Sequence, residues 1–418
     1  MKIAIIGAGF TGLSAAYQLL KDGHEVVVFE KASQPGGLAL GFQEKGWKWT
    51  LEEYYHHWFT NDDSVLHLAK EIDYPVVIKR PKTSVYLDNE IYQLDSPAKL
   101  LLFPKLPILD RLRMAAVLGF LRFNPHWQQL EKYKTSEFLP KYMGQNAYQA
   151  IWEPQLINKF GEYINDISLA WFWARIKKRT PSLAYPAGGF LQFAKALEGK
   201  ITNLGGKIVY NTAIESITEN KKITLGKQYG EFDKLIVTLP SFFFLKLFPR
   251  LPENYKQKLM PLKGLGAMTL ILRLKQPFFK DNTYWLSVCE KHAPITAIVE
   301  HTNFMDKQHY NNEHLVYLGN YLPTNHPYFS MTKEQLLKTF DPFLKQINSN
   351  YKENLIGTEV FKVPFAQPII PINYSTMIPS FETPIKNVYL ANMQQVYPWD
   401  RGTNYAVELG QKIAKAIL

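Results

Sequence analysis

The chain has 418 residues, 46% of them hydrophobic, and this length predicts two domains or one large domain with insertions. Its single cysteine, Cys289, excludes an internal disulfide and a thiolate-rich metal site, and it suits a reducing cytosol. The net charge of +11 attracts anions, but the basic residues are scattered and no nucleic-acid motif accompanies them, so we expect no nucleic-acid partner.

The first 30 residues predict a strand, a glycine loop, a helix and a second strand. The strands are the apolar runs Lys2–Ile6 and His24–Glu30, and the helical apolar rhythm between them ends at Gly23, a natural helix stop. Buried strands that are joined through a helix indicate a parallel sheet.

The rest of the chain alternates between two kinds of sequence. Segments like the first 30 residues return near 185–240 and at the end of the chain, and they are separated by aromatic-rich helical sequence and by strand-like sequence. We therefore expect an α/β fold with a doubly wound, Rossmann-type domain assembled from separated segments. The predicted division is 1–65, 185–245 and 386–418 for that domain, 66–184 for a helical subdomain, and 246–385 for a mixed-sheet substrate domain.

The glycine loop has the spacing of a dinucleotide-binding turn. Gly7 permits the tight turn, Gly9 lets a pyrophosphate approach the backbone, and Gly12 lets helix and strand pack closely. The helix that follows begins with unpaired N–H groups and the positive end of its dipole, which suit phosphates. Glu30 ends the second strand, where a carboxylate can hydrogen-bond the ribose of an adenosine.

Four further segments resemble a known flavoprotein superfamily. Glycine pairs occur in Gln34–Gly37 and Tyr185–Phe190, Asn211–Ile217 predicts a strand, and the chain closes with "YLANMQQVYPWDRGTNYAVELG" before its last helical turns. In this order the whole chain resembles the amine oxidase, protoporphyrinogen oxidase and carotenoid desaturase superfamily, and most of all its bacterial protoporphyrinogen-oxidase-like branch. The resemblance implies FAD as cofactor, and the absence of cysteine from 387–404 implies that the flavin is noncovalent.

The resemblance also indicates which residues would hold FAD. Leu38 stands where many relatives carry a basic residue, so Lys31, Lys45 or Arg401 would supply that charge instead. The predicted cofactor-binding residues are Gly7, Gly9, Phe10, Thr11, Gly12, Glu30, Lys31, Gly36, Gly37, Leu38, Ile214, Asp400, Arg401, Gly402, Thr403, Asn404 and Ala406.

The closing segment predicts the second half of the cofactor site. Gly402 lets the backbone approach the ribityl chain or pyrophosphate, and Ala406 is small where the isoalloxazine would lie. Thr403 and Asn404 are natural capping residues for the last helix, whose N-terminus would face the negative charge of reduced flavin. Asp400 would bond ribityl hydroxyls, and the arginine after it would bond a phosphate.

Two polar clusters are candidate catalytic groups on the substrate side. His56 and His57 lie in an aromatic segment, and we expect at most one to face the ligand because neighbours on an extended chain point opposite ways. Glu300, His301 and Asn303 follow a strand and would orient a polar substrate or shuttle a proton. The alternatives are an aromatic core segment and a solvated strand end, respectively. No His or Asp spacing predicts a metal site.

The expected reaction is hydride transfer from a C–H or C–N bond of a small-molecule or lipid-like substrate to flavin N5. A second glycine-rich candidate, Gly264–Thr269, lacks the third glycine and runs into a strand, so we expect no nicotinamide domain. Two alternatives stay open: a noncatalytic FAD- or lipid-binding protein, and a redox-neutral flavoenzyme resembling UDP-galactopyranose mutase. The latter would need converging arginines from the set Arg80, Arg111, Arg113, Arg175, Arg179 and Arg273.

Residues 97–125 are the best candidate for membrane contact. They combine five basic residues and one acid with apolar residues at most other positions, a composition that can lie in a membrane interface. A buried helix pair with exposed arginines is the alternative. Since the N-terminus lacks the charged start of a signal peptide, we expect a cytoplasmic protein that is peripheral to the inner face of the membrane if this contact forms. The oligomeric state is left open.

Overall fold

A five-stranded parallel sheet contains strands from near both ends of the chain. We describe it from a computed structural model, which covers residues 1–215, 217–219, 223–225 and 227–418. The central strands of this sheet are largely apolar and buried on both faces, as parallel strands with covered faces require, whereas the edge strand Lys207–Val209 is exposed or half-buried. Their order across the sheet is Lys207–Val209, Glu25–Phe29, Lys2–Ile6, Lys234–Val237 and Val388–Leu390.

Three long helices cover one face of this sheet. The helix Phe10–Lys21 packs against both Phe190–Asn203 and Thr403–Ala416, and Asp63–Glu71 packs against the last of these. The first and last helices approach closely at Gly410, where the Ser14 hydroxyl donates to the Val407 carbonyl at 3.1 Å. The N-termini of both helices are thereby held at the carboxyl edge of the sheet.

A seven-stranded mixed sheet forms the second layer. Its strands pair antiparallel, except that Thr283–Val288 runs parallel to Lys82–Leu87. The helix Lys333–Ile347 packs its apolar side on one face of this sheet. The strand order is Leu355–Pro368, Gly264–Leu274, His314–Leu322, Ala297–Glu300, Thr283–Val288, Lys82–Leu87 and Glu90–Gln93.

A helical layer lies beside both sheets. It holds a core of large aromatic side chains, among them Trp171, Phe172 and Trp173. A π-helical turn, Tyr148–Trp152, joins two of its segments. The α-helices of the layer are Pro97–Leu101, Ile108–Phe123, Thr135–Met143, Gln145–Ala147, Glu153–Phe160 and Leu169–Lys178.

Short elements complete the fold. They are the strand pair Gly41–Phe42 and Leu51–Glu52, the strands Trp58–Phe59, Leu183–Pro186 and Val76–Lys79, the strands Thr218–Glu219, Ile223–Thr224 and Glu231–Phe232, and the helices Ser241–Leu247 and Glu253–Leu259. Within the described ranges, no helix is both long and apolar enough to cross a membrane.

The predicted fold class is confirmed: a parallel-sheet α/β domain assembled from separated segments adjoins a mixed sheet and a helical subdomain. The domain boundaries stay a prediction. They assign 66–184 to the helical subdomain, whereas Lys82–Leu87 and Glu90–Gln93 are the last two strands of the mixed sheet. Strand pairing across distant segments decides this assignment, and the local helical pattern does not reveal it.

Gly410 offers a test of the contact between the first and last helices. A Cβ at this position would lie 2.0 Å from the Ser14 Oγ and 2.3 Å from the Thr11 carbonyl oxygen. We expect Gly410→Ala to lower the free energy of unfolding by about 1–3 kcal/mol through overpacking, measured by chemical denaturation. The control is Gly199→Ala, because a Cβ at this helical glycine meets nothing within 4 Å and Ala is the better helix former. Equal stability of the two variants would contradict this account.

Candidate functional site

Two glycine segments meet at the carboxyl edge of the parallel sheet. Gly9 forms a parallel bridge with Gly36, and a Cβ on Gly37 would lie 3.0 Å from the Gly9 Cα. Gly7 has a φ of +108°, and a Cβ on Gly12 would lie only 1.9 Å from the Gly7 carbonyl oxygen. A side chain at Gly7, Gly12 or Gly37 would therefore not fit without a shift of its neighbours, so this part of the loop is bare backbone.

The first helix begins at this loop with its N–H groups open. Its N-cap, Gly9, makes no side-chain capping bond, and its first turn, which includes Phe10 and Thr11, contains no acidic residue. Its positive dipole end is thus available to a phosphate.

Glu30 lies beside the loop, and its carboxylate accepts hydrogen bonds from Ala8 N–H at 2.7 Å and Ala32 N–H at 2.9 Å. The Thr212 N–H donates to the Glu30 carbonyl, so the segment that carries half-buried Ile214 runs alongside. An ionised carboxylate has further lone pairs for ribose hydroxyls.

The neighbouring cation, Lys31, is exposed and lies over the Phe243 ring, 5.7 Å from its centre. Half-buried Leu38 lines the cavity described below.

The last helix begins at the same edge, and its N-cap is exposed Gly402. Thr403 and Asn404 are not its caps: Thr403 Oγ1 accepts from Trp58 Nε1 at 2.6 Å, and Asn404 Oδ1 accepts from Val65 N–H at 3.1 Å. These buried bonds attach the helix to the aromatic segment and leave its first-turn N–H groups without side-chain partners. Ala406 is half-buried behind that turn.

The aromatic segment contains the paired histidines. His56 Nδ1 lies 2.6 Å from the Tyr54 carbonyl oxygen, and His57 Nδ1 lies 3.1 Å from the Tyr284 hydroxyl. Burial lowers the pKa of His56 to about 4. Burial, together with the positive charge of Arg179, lowers the pKa of His57 to about 3. Both imidazoles are therefore neutral near pH 7. Both line the same cavity, whereas the sequence predicted that at most one of them faces the ligand.

A cavity of about 310 Å³ lies where the three structural units meet. The start of the last helix, the helical layer and the mixed sheet each supply part of its lining. Aromatic rings form one side, and the Tyr55 and Trp285 rings meet edge to face with centres 4.8 Å apart. The lining includes Leu38, Tyr55, His56, His57, Asp62, Lys159, Trp171, Arg175, Lys178, Arg179, Tyr284, Trp285, Tyr321, Asp400, Arg401, Gly402, Thr403, Asn404 and Tyr405.

Asp400 is surrounded by positive charge in this cavity. It accepts from Arg175 Nη1 at 3.1 Å, from Trp171 Nε1 at 3.2 Å and from the Arg401 backbone N–H at 3.0 Å. Burial raises the pKa of Asp400, but Lys159 and the two arginines outweigh it and lower that pKa to about 2. Burial and the same arginines hold the pKa of Lys159 well below its usual range. No sequence motif pointed to Lys159, because its position depends on helix packing.

The second predicted cluster lies elsewhere. The Glu300 carboxylate accepts from the N–H groups of Phe278 at 3.0 Å and Phe279 at 2.8 Å, and His301 Nε2 lies 2.8 Å from the Tyr310 hydroxyl. Asn303 Nδ2 donates to the Thr283 carbonyl at 2.9 Å. All three side chains bond to the protein and lie outside the cavity lining. Their predicted role in handling substrate has no geometric support.

The arginines of the redox-neutral alternative converge in part. Arg175 and Arg179 line the cavity, whereas Arg111 and Arg113 bond to carbonyls of the helical layer and Arg273 pairs with glutamates. Among the described residues, no group of three or more His, Cys, Asp and Glu side chains could hold a metal ion.

The glycine loop, the helix that starts at it and the acid after the second strand define a dinucleotide-binding domain of Rossmann type. The family model "Flavin containing amine oxidoreductase" matches residues 10–418, so the chain belongs to this flavin-containing family. The resemblance predicted from the sequence is confirmed.

Comparisons with individual proteins agree on the fold. The chain is 25% identical to coproporphyrinogen III oxidase of Staphylococcus aureus over 294 residues, which cover 60% of this chain and 63% of that protein. An oxidoreductase from Methanosarcina mazei superposes with a TM-score of 0.76 at 18% identity over 100% of both chains. Reduced UDP-galactopyranose mutase superposes with a TM-score of 0.76 at 16% identity, covering 100% of this chain and 95% of that one. At these identities the two structures establish the shared fold alone.

Burial makes Glu52 a source of pH-dependent stability. Its carboxylate, fully buried, accepts from the Tyr185 hydroxyl and the Phe190 N–H, and burial raises its pKa from 4.5 to about 7. Between these two values the folded protein binds more protons than the unfolded chain, so the free energy of unfolding falls as pH rises through this window.

We expect Glu52→Gln to remove this contribution, because the amide keeps an acceptor oxygen and does not titrate. The loss of stability between pH 5 and pH 8 should shrink by up to about 3 kcal/mol, measured by chemical denaturation at both pH values. Burial also raises the pKa of Glu53 to about 7, so some dependence of stability on pH should remain in both proteins. Identical pH slopes for variant and wild type would rule out a raised pKa at Glu52.

Proposed function

We propose that this protein is an FAD-dependent oxidoreductase that oxidises a C–H or C–N bond of an organic substrate by transferring a hydride from its carbon atom to flavin N5, with the FAD held noncovalently. The observation that carries the proposal is the cavity, whose lining runs from Leu38 and Gly402 at the nucleotide-binding edge to Tyr284 and Trp285 in the mixed sheet. A cofactor bound at that edge and a substrate in the cavity would lie side by side.

The residues present fit FAD. Glycines without room for a Cβ and an uncapped helix N-terminus suit a pyrophosphate at Gly7 to Gly12, and Glu30 suits the ribose. The second uncapped helix, which begins after Gly402, would face the pyrimidine end of the ring system. No cysteine lies in 387–404, in accord with noncovalent binding.

When bound, FAD supplies the hydride acceptor, and the chain contributes orientation and a dry site. Tyr55, Tyr284 and Trp285 present apolar ring surface against which a substrate can be held. His56 and His57 are neutral near pH 7 because burial lowers the pKa of each, so neither adds to the positive charge of the cavity.

The relationship to coproporphyrinogen III oxidase supports oxidative chemistry. The redox-neutral alternative is favoured by one observation, the convergence of cationic side chains in the cavity. A noncatalytic flavin- or lipid-binding protein is disfavoured, because the cavity gives a substrate room beside the cofactor edge.

The purified protein provides the test. We expect flavin absorption near ~450 nm, and acid denaturation should release the flavin, with the mass of FAD, into the supernatant. Flavin that stays with the precipitated protein would contradict noncovalent binding. A colourless protein that cannot be reconstituted with FAD would overturn the proposal. We expect anaerobic NADPH to bleach the flavin no faster than buffer does, because no nicotinamide domain is predicted.

We propose further that residues 97–125 contact a membrane. The helix Ile108–Phe123 buries only Asp110, Met114 and Leu121, so the alternative of a buried helix pair has little support. The exposed apolar side chains of the segment are Leu101, Leu102, Ile108, Leu109, Leu112, Phe120 and Phe123. Such an exposed apolar group, flanked by basic residues, suits the interface of an anionic bilayer.

This surface adjoins the cavity. Arg122 Nη1, near the end of the exposed helix, donates to the carbonyl of Arg179, a cavity-lining residue, at 2.7 Å. This bond places the end of the exposed helix beside a segment that lines the cavity, which suits a site for a lipid-like substrate.

Vesicle binding tests the membrane contact. The variant carrying Leu102→Ser, Leu109→Ser and Phe123→Ser removes side chains that are 74%, 70% and 81% exposed, so its thermal stability should not change. We expect it to sediment with phosphatidylglycerol–phosphatidylcholine vesicles at least about tenfold less than the wild type. The control replaces Met260 and Ile356, which are exposed elsewhere, by Ser. Equal sedimentation of both variants would refute the contact.

A further inference from the structure

The cavity carries more positive than negative side chains. Its lining contains five basic side chains, those of Lys159, Arg175, Lys178, Arg179 and Arg401, against two carboxylates, those of Asp62 and Asp400. A cavity with this surplus has a positive potential, which its low-dielectric walls focus.

Asp400 is fully engaged and Asp62 only in part. Both oxygens of Asp400 accept bonds, one of them in an ion pair with Arg175. Asp62 Oδ2 accepts from the Phe59 N–H at 2.8 Å, whereas its buried Oδ1 has no hydrogen-bond partner among the described residues. In the part of the chain that the structure describes, Lys159, Arg179 and Arg401 have no carboxylate within ion-pair distance. The Nε of Arg401 is buried and has no hydrogen-bond partner.

Aromatic rings hold these cations in place. Lys159 Nζ lies 4.5 Å and Arg401 Cζ 4.8 Å from the centre of the Tyr321 ring, and Arg175 Cζ lies 5.1 Å from that of Trp171. A ring face attracts a cation and positions it without cancelling its charge. The cluster thus keeps its capacity to bind an anion.

The phosphates of the cofactor do not account for this charge. The glycine loop that suits a pyrophosphate lies outside the cavity lining, whereas Arg401, for which the sequence predicted a bond to a cofactor phosphate, belongs to that lining. Lys159 and Arg175 belong to Glu153–Phe160 and Leu169–Lys178, two helices of the helical layer.

We propose that the substrate carries an oxyanion, a phosphate or a carboxylate, and that Lys159, Arg175 and Arg401 bind it in the cavity above Tyr321. This inference rests on the proposed function, since it names the chemical class of the substrate of the same site. Oxygen atoms of either group accept charge-assisted hydrogen bonds from lysine and arginine, and arginine can bind them through two parallel bonds. Such a group would anchor the substrate while its oxidisable bond lies toward the cofactor edge.

The environment of Lys159 adds a pH dependence. The charged groups that act on it are Arg175, Asp400 and Arg401, and the rings of Phe160, Trp171 and Tyr321 lie close to it. A bound anion favours the protonated amine, so binding should take up a proton and weaken as pH rises.

The experiment titrates the flavin-loaded protein with pyrophosphate and, separately, with succinate, by calorimetry and by the change in flavin absorption. We expect one of the two to bind, with a Kd that rises about tenfold in Lys159→Met and in Arg175→Met. The matched control is Lys177→Met. Lys177 belongs to the helix that carries Arg175 but lies outside the cavity lining, so this variant should bind the anion as the wild type does.

Binding of pyrophosphate would identify a phosphate-bearing substrate, and binding of succinate a carboxylate-bearing one. If neither binds, or if the variants bind as the wild type does, the inference is overturned while the flavin spectrum still supports the proposed function. A protein without flavin would overturn the proposed function instead. In a protein without flavin, pyrophosphate could also bind at the glycine loop, but that binding would not depend on Lys159. A loss of affinity in Lys159→Met would therefore still support the anion site in the cavity.

Discussion

The contact between the first and last helices is the constraint on which the site depends. Gly410 lies against Thr11 and Ser14, so closely that a single methyl group would collide with both. This approach places the start of the last helix beside the glycine loop, although almost the whole chain separates them. Two uncapped helix N-termini then lie at one edge of one parallel sheet. Because a helix N-terminus supplies N–H donors and positive potential, this edge is suited to an anionic cofactor.

The rest of the site is built around that edge by long-range bonds. Trp58 donates to Thr403 and Val65 donates to Asn404, so the aromatic segment is attached to the last helix. The helical layer and the mixed sheet close the cavity from the other sides. Burial in this cavity keeps His56 and His57 neutral. The physical basis of this effect is the cost of placing charge in a poorly solvated environment. The cavity lining also contains more basic side chains than carboxylates.

The sequence predicted the parts of the site that depend on local backbone geometry. Gly7, Gly9 and Gly12 have a recognisable spacing because the turn, the ligand approach and the helix contact each exclude a side chain. The catalytic candidates, which were chosen because they are polar, did not all lie in the cavity. Glu300 ends a strand as expected, but its carboxylate accepts hydrogen bonds from two backbone N–H groups of a neighbouring loop. The polar character of such a residue does not indicate which groups surround it.

By itself, the sequence determined the fold class, the position of the nucleotide-binding edge and the family. These follow from hydrophobic periodicity and glycine spacing, which are properties of neighbouring residues. Only the tertiary structure decided that Lys82–Leu87 joins the mixed sheet, that Gly402 is the cap of the last helix, and that Lys159 lies with Arg175 and Arg401 around Asp400. Those relations depend on packing between segments far apart in the chain, and the charge of the cavity arises from them.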